Sequence, residues 1–163
     1  MNAVMLFDFS QTSPIDDWRI VNDGVMGGLS QGKFSINAKG NGFFRGTISL
    51  DNNGGFSSVR YRFKTQDVSK FSAIKIRLKG DGKAYQFRIK ADASQRYSYI
   101  EKIETSGDWE TLTIPFSTMY PAFRGRVLDL PNYLGKELTE IAFLFGNKKE
   151  EDFALAIDFI ELM

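Results

Sequence analysis

The side chains able to do chemistry in this sequence are carboxylates, arginines, lysines, tyrosines and serines, because its 163 residues include neither histidine nor cysteine. Without imidazole there is no general base that titrates near neutral pH and no serine-histidine hydrolase. Without thiols there is no cysteine nucleophile, no thiolate zinc site and no disulfide framework. Asp16, Asp17 and Asp23 supply carboxylates within one short stretch, and a glycoside hydrolase would need two such acids about 5–10 Å apart across a cleft. Acids beside turns are ordinarily solvated. No catalytic residue is therefore assigned, and the chain is read as non-enzymatic, with no cofactor.

The stretch VNDGVMGGLS, residues 21–30, packs three glycines beside an Asn, an Asp and a Ser. A Walker-type phosphate loop requires Gly-Lys-Ser/Thr after its glycine, and a dinucleotide fingerprint requires G-x-G-x-x-G between a strand and a helix. Neither spacing is present. Asn22, Asp23 and Gly24 can turn the chain through side-chain-to-backbone bonds, while Gly27 and Gly28 permit close packing. A second stretch, NNGGFSS at 52–58, has the same mixture. Two readings stand: the loops line a recognition surface through Asn22, Asp23, Met26, Gly27, Gly28, Ser30 and Asn53, or these residues hold two adjacent loops together.

A second candidate surface comes from arginines at alternating positions. In FSSVRYRF the apolar set Val59, Tyr61 and Phe63 opposes Arg60 and Arg62; AIKIRLKG and YQFRIKA repeat the pattern around Arg77 and Arg88. Side chains two apart share one face of a strand, so the arginines face outward, with Tyr97, Tyr99 and Trp109 close by in sequence. Arginine forks bind carboxylates bidentately, and flat aromatics stack on sugars or anchor protein contacts. FRGR adds Arg124 and Arg126 in a segment of its own; they can meet a ligand or bridge to an acid within the fold, such as Asp23.

Period-two alternation ending at Gly, Asn or Asp recurs along most of the chain, which predicts half-buried antiparallel strands. Besides the three segments above, strands are expected over 4–9, 42–50, 96–104, 109–116, 139–146 and 153–162. About ten strands without βαβ alternation predict an all-β fold of two packed antiparallel sheets, a β-sandwich, as a single domain over 1–163. KGDGK at 79–83 suits a tight hairpin, and residues 116–137 read as a long loop with one helical turn. From Arg60 to Arg96 there are 11 Lys/Arg against 3 Asp/Glu, although the whole chain is only +1. In a strand-rich chain this is read as a solvated sheet face, and no nucleic-acid partner is expected.

Asp8 and Asp158 fall in the first and last strand segments and could approach each other around a calcium ion, but no D-x-D-x-D-G loop occurs and no metal is assigned. The opening MNAVMLFDFS lacks the basic segment and long apolar run of a secretory signal. No window approaches the roughly 20 apolar residues of a membrane span. A cytoplasmic location is expected.

The stretch WRIVNDGVMGGLSQGKF at 18–34 resembles the signature of the complex I intermediate-associated protein 30 family. The likeness continues through GFFRGTISLDNNGGFSSVR at 42–60, WETLTIPFSTMYPAFRGR at 109–126 and FALAIDFIEL at 153–162. The resemblance implies a galactose-binding-domain-like jelly roll, of the type also used by carbohydrate-binding modules, and its stand-alone form is similar to bacterial members. It implies a factor that assists assembly of respiratory NADH:ubiquinone oxidoreductase by binding a protein partner, a subunit or assembly intermediate. A glycan held on a concave sheet face is the alternative occupant.

Overall fold

Alternating apolar residues become thirteen β-strands in the computed structural model of the protein, which describes residues 3–163 apart from the side chains of Val25, Met26 and Asn53. Numbered in chain order, one sheet runs β3 (Gln31–Ile36), β4 (Gly42–Thr47), β13 (Asp152–Leu162), β6 (Ala73–Lys79), β9 (Trp109–Pro115). β1 (Val4–Asp8) also joins it: β13 is long enough to pair β4 over Asp152–Ile157 and β1 over Phe159–Leu162. The other sheet runs β11 (Arg126–Val127), β10 (Tyr120–Phe123), β8 (Ser98–Glu104), β7 (Ala84–Lys90), β12 (Glu137–Phe145), β5 (Ser57–Asp67), β2 (Trp18–Asn22). Every pairing is antiparallel. The fold is a two-sheet β-sandwich of the jelly-roll type.

The core lies between the sheets. Val59, Phe87, Ile89, Ile141 and Phe143 point into it from the seven-stranded sheet, and Phe44, Ile74, Ile76, Leu155 and Ile157 from the six-stranded one. Each such side chain contributes about 1.5–3 kcal/mol by leaving water. Trp18 ties the layers together: its ring stacks on Tyr61 of β5 at 4.9 Å and on Phe34 of β3 at 5.1 Å, one partner from each sheet.

Three expectations are revised. KGDGK is not a hairpin, because β6 and β7 belong to different sheets and residues 80–83 carry the chain between them. Asp81 fastens this crossover, accepting hydrogen bonds from the Tyr85 hydroxyl at 3.0 Å and the Ala154 amide at 2.9 Å. Gly80 is required there, since a Cβ would stand 2.3 Å from Thr105. The 116–137 segment, expected as a loop, contains β10 and β11, joined by a two-residue turn in which Arg124 and Gly125 take φ of +50° and +78°. Positive φ at both central positions is the hairpin geometry that matches strand twist. Finally, β2 and β3 flank the glycine-rich stretch as two strands beyond those expected from alternation.

Where β3 meets β4, Gly32 faces Gly46, and a Cβ on Gly46 would lie 2.0 Å from the Gln31 carbonyl oxygen. Backbone cannot swing aside as a side chain can. Gly46→Ala is expected to cost about 1–3 kcal/mol or more. Gly24→Ala, at a position with open space around it, is expected to change stability by less than about 1 kcal/mol. Urea unfolding of the two variants checks the contrast; equal midpoints would contradict it.

Candidate functional site

The glycine-rich stretch forms the crossover from β2 to β3, that is, from the seven-stranded sheet to the six-stranded one, and residues 48–56 form the return crossover from β4 to β5. Asp23 joins them. Its side chain is buried at 1% exposure, and its carboxylate accepts the Ser30 amide at 3.0 Å, the Gly55 amide at 2.6 Å and the Phe56 amide at 3.3 Å. Burial pushes this carboxyl up, but the hydrogen bonds from Ser30, Gly55 and Phe56 outweigh it and hold the group below its ordinary value. Ser30 adds a reciprocal pair with Ser49, its hydroxyl donating to the Ser49 carbonyl at 3.1 Å and accepting the Ser49 amide at 2.9 Å.

The glycines make room for that carboxylate. A Cβ on Gly28 would lie 2.4 Å from Asp23 Cγ, and one on Gly54 would lie 2.5 Å from its Oδ2. Gly27 closes the short 3-10 turn of Asp23–Met26 with φ +88°. Asn22 accepts the Ser57 hydroxyl, and a Cβ on Gly32 would lie 2.1 Å from that same hydroxyl oxygen. The Asn22 side-chain oxygen, the Asp23 carboxylate and the Ser30 hydroxyl are therefore engaged within the fold. The side chains of Met26 and Asn53 lie outside the described residues.

The outward face of the seven-stranded sheet gathers three of the six arginines singled out from sequence, Arg60, Arg62 and Arg88. Strand pairing sets Arg19, Arg60, Ala142, Arg88, Ile100 and Tyr120 side by side across β2, β5, β12, β7, β8 and β10. A parallel line beside it holds Arg62, Glu140 and Lys90. There the buried Glu140 takes Arg62 Nη2 at 3.1 Å and Nε at 3.3 Å on one oxygen. Burial lowers the Arg60 pKa; the Glu140 charge opposes this, while Arg62 and Arg19 add to it. Burial, with Arg60 as neighbour, brings Arg88 down to about 10. Lys90 is lowered for the same reason. Arg88 Nε finds no hydrogen-bond partner.

The remaining candidates lie elsewhere. Arg77 is on β6 in the other sheet, bound to Asp158 at 2.8 Å and stacked 4.5 Å over the half-buried Trp109 ring. Tyr99 pairs with Ile89 on the core face, opposite Arg88, and packs 5.1 Å from Tyr133; Tyr97 meets it edge-on. Arg124 and Arg126 are exposed at the β10–β11 turn, where Arg124 lies over Phe123, and the groups that hold Asp23 are backbone amides instead. Asp158 is engaged by Arg77, and among the described residues no cluster of three acids is placed to hold a metal. Arg19, Lys90, Glu140, Ala142 and Tyr120 belong to the arginine face but were not singled out from sequence. Alternation alone could have found Arg19 and Lys90; Glu140 is hidden in the apolar run ELTEIAFLF.

Residues 7–157 match the family described as Complex I intermediate-associated protein 30. The chain belongs to this family. Among its relatives, the mitochondrial complex I intermediate-associated protein 30 of Mus musculus is 27% identical over 97% of this chain and 55% of its own length. The Drosophila melanogaster protein of the same name is 25% identical over 97% of this chain and 62% of its own length. The chain thus spans a little over half of each of these relatives. In fold it is similar to a family 11 carbohydrate-binding module from a cellulosomal cellulase of Clostridium thermocellum, with a TM-score of 0.71, 20% identity and coverage of 99% of this chain and 94% of the module. Among the described residues, no helix is long and apolar enough to cross a membrane.

In this member of the family, the Asp23 junction gives a direct test. Asp23→Asn removes the charge and turns an amide N–H toward backbone N–H donors, so it is expected to cost about 1–3 kcal/mol at neutral pH. The folded carboxyl titrates below its ordinary 3.8. Its contribution is therefore complete above that value and is lost as pH falls through the folded value. The gap between wild type and variant in urea unfolding narrows as the solution is acidified below 3.8; a gap unchanged with pH would contradict the assignment.

Proposed function

We propose that this chain is a non-enzymatic binding module that assists assembly of a respiratory NADH:ubiquinone oxidoreductase by holding a protein partner against the outward face of its seven-stranded sheet. Membership in the complex I intermediate-associated protein 30 family supports the assembly role. The single observation that carries the choice of surface is the line of arginines across that face, in which Arg88 is partly buried and its Nε lacks an internal partner. A cation drawn partly out of water, with Glu140 offsetting only part of the cost, is a candidate for a functional site. The same face ends at the sheet edge in Val127, 65% exposed and paired with Ala122, so it combines charge with an apolar contact, as protein interfaces do.

The glycine loops rim this sheet, since β2 ends at Asn22 and β5 begins at Ser57. In this reading Asn22, Asp23, Gly27, Gly28 and Ser30 shape the rim, and Arg60, Arg62 and Arg88 make the contact. A non-catalytic role fits Asp16 and Asp17, which are exposed, and Asp23, whose carboxylate is enclosed. The cytoplasm is the proposed location. A glycan, the alternative occupant, draws support from the likeness in fold to a carbohydrate-binding module. It would favour a flat aromatic platform, and along the arginine line the aromatic side chain is Tyr120 alone.

Deleting the gene in its own cell is expected to lower the amount of fully assembled complex I on native gels. Calorimetric titration of the purified chain with mixed-linked glucan oligosaccharides is expected to show no heat of binding. Normal complex I levels in the deletion strain, together with saturable glucan binding, would replace this reading with the carbohydrate one.

A further inference from the structure

Within the outward face, the two lines of charge differ in one respect. In the Arg62–Glu140–Lys90 line, a carboxylate sits between two cations and is bound by one of them. In the Arg19–Arg60–Arg88 line there is no carboxylate. Glu140 is already engaged by Arg62. Glu101, on the next strand, pairs with Phe87 on the opposite face of the sheet and accepts the Thr118 hydroxyl at 2.7 Å. Arg60 Nε is turned to Ser58 Oγ at 3.3 Å, a neutral partner.

Arg60 and Arg88 are partly buried and Arg19 is exposed; like charges drawn partly out of water are costly unless an opposite charge joins them. Ala142, 3% exposed, stands between Arg60 and Arg88, so no charged side chain separates the two along the line. A bidentate guanidinium fork matches a carboxylate in shape as well as charge. From Arg19 to Arg88 the line crosses three strand-to-strand steps, about 14 Å. An extended peptide presents a side chain on one face about every 6.8 Å, so two or three acidic residues at alternate positions span it. Beyond Arg88 the line continues into Ile100 and the half-buried Tyr120.

We infer that the Arg19–Arg60–Arg88 line receives the carboxylates of an acidic, extended segment of the protein partner. This inference rests on the reading of the chain as a protein-binding module and names the chemistry of what it binds. Arg60 and Arg88 grip adjacent carboxylates across Ala142, and Arg19 extends the grip toward the β2 edge.

Fluorescence anisotropy of fluorescein-labelled hexaglutamate, titrated with the intact chain at low salt, tests it. Wild type is expected to bind, and Arg60→Gln and Arg88→Gln are each expected to weaken binding about tenfold or more. Lys33→Gln changes the net charge equally but lies on the exposed side of β3 in the other sheet, and is expected to stay within about twofold of wild type. Arg88→Lys keeps the charge without the fork and is expected to fall between these results. Thermal midpoints serve as the folding check: Arg88→Gln is expected to melt no lower than wild type, because it removes a partly buried cation whose Nε has no partner.

Equal affinities for Arg88→Gln and Lys33→Gln would overturn the inference, since net charge alone would then govern binding. Tighter binding of a galacturonate trisaccharide than of hexaglutamate would overturn the choice of a protein segment. The parent reading fails separately: intact complex I in the deletion strain, alongside arginine-dependent peptide binding, would remove the assembly role and leave acidic-segment recognition standing.

Discussion

A carboxylate taken out of water is unstable unless hydrogen bonds replace its hydration, and at Asp23 the replacement comes from backbone amides on two separate crossovers. One crossover leaves the seven-stranded sheet and the other returns to it. Holding both with one side chain fixes where β3 and β5 begin, and therefore how the two sheets lie over each other. The aromatic stack of Tyr61, Trp18 and Phe34 depends on that placement, because its outer rings come from β5 and β3. Gly28 and Gly54 are part of the same constraint: any side chain at either position would occupy the space of the carboxylate.

Because those polar atoms are spent internally, the junction has little left to offer a ligand. Among the described residues, the unpartnered Arg88 Nε lies on the outer face of the seven-stranded sheet. Its inner face is filled by Phe87, Phe143 and their neighbours, and period-two alternation then forces Arg60, Arg62, Arg88 and Lys90 outward. The burial of the core and the outward placement of the cations are two sides of one pattern.

That pattern was the legible part of the sequence. β1, β4, β5, β6, β7, β8, β9, β12 and β13 could be read from alternation, and two packed sheets followed from their number. What alternation cannot encode is which sheet a strand joins. Arg77 and Arg88 look equivalent in AIKIRLKG and YQFRIKA, yet the Asp81 crossover sends them to different sheets. Tyr99 was read as an accessible aromatic, but strand register puts it on the core side. The role of Asp23 was undecidable because its partners are main-chain amides, which leave no trace in residue type. β10 and β11 were obscured by Pro121 and by the non-glycine residue Arg124 at positive φ. The family resemblance was legible through the same glycines that the carboxylate requires.

Asp23 and Arg88 make an instructive pair. Both are charged groups drawn away from water. At Asp23 the surrounding amides shift the equilibrium toward the charged form, below the ordinary aspartate value. At Arg88, burial and the neighbouring Arg60 shift it away from the charged form, with Glu140 only partly offsetting them. A charge favoured by its surroundings in the folded state stabilises the fold; a charge disfavoured by them weakens it, and an external counter-ion can reverse the sign. On that criterion the loop signature serves architecture, and the arginine line is the surface we propose for recognition; the fold separates them by placing one at the crossovers between the sheets and the other across the outer face of one sheet.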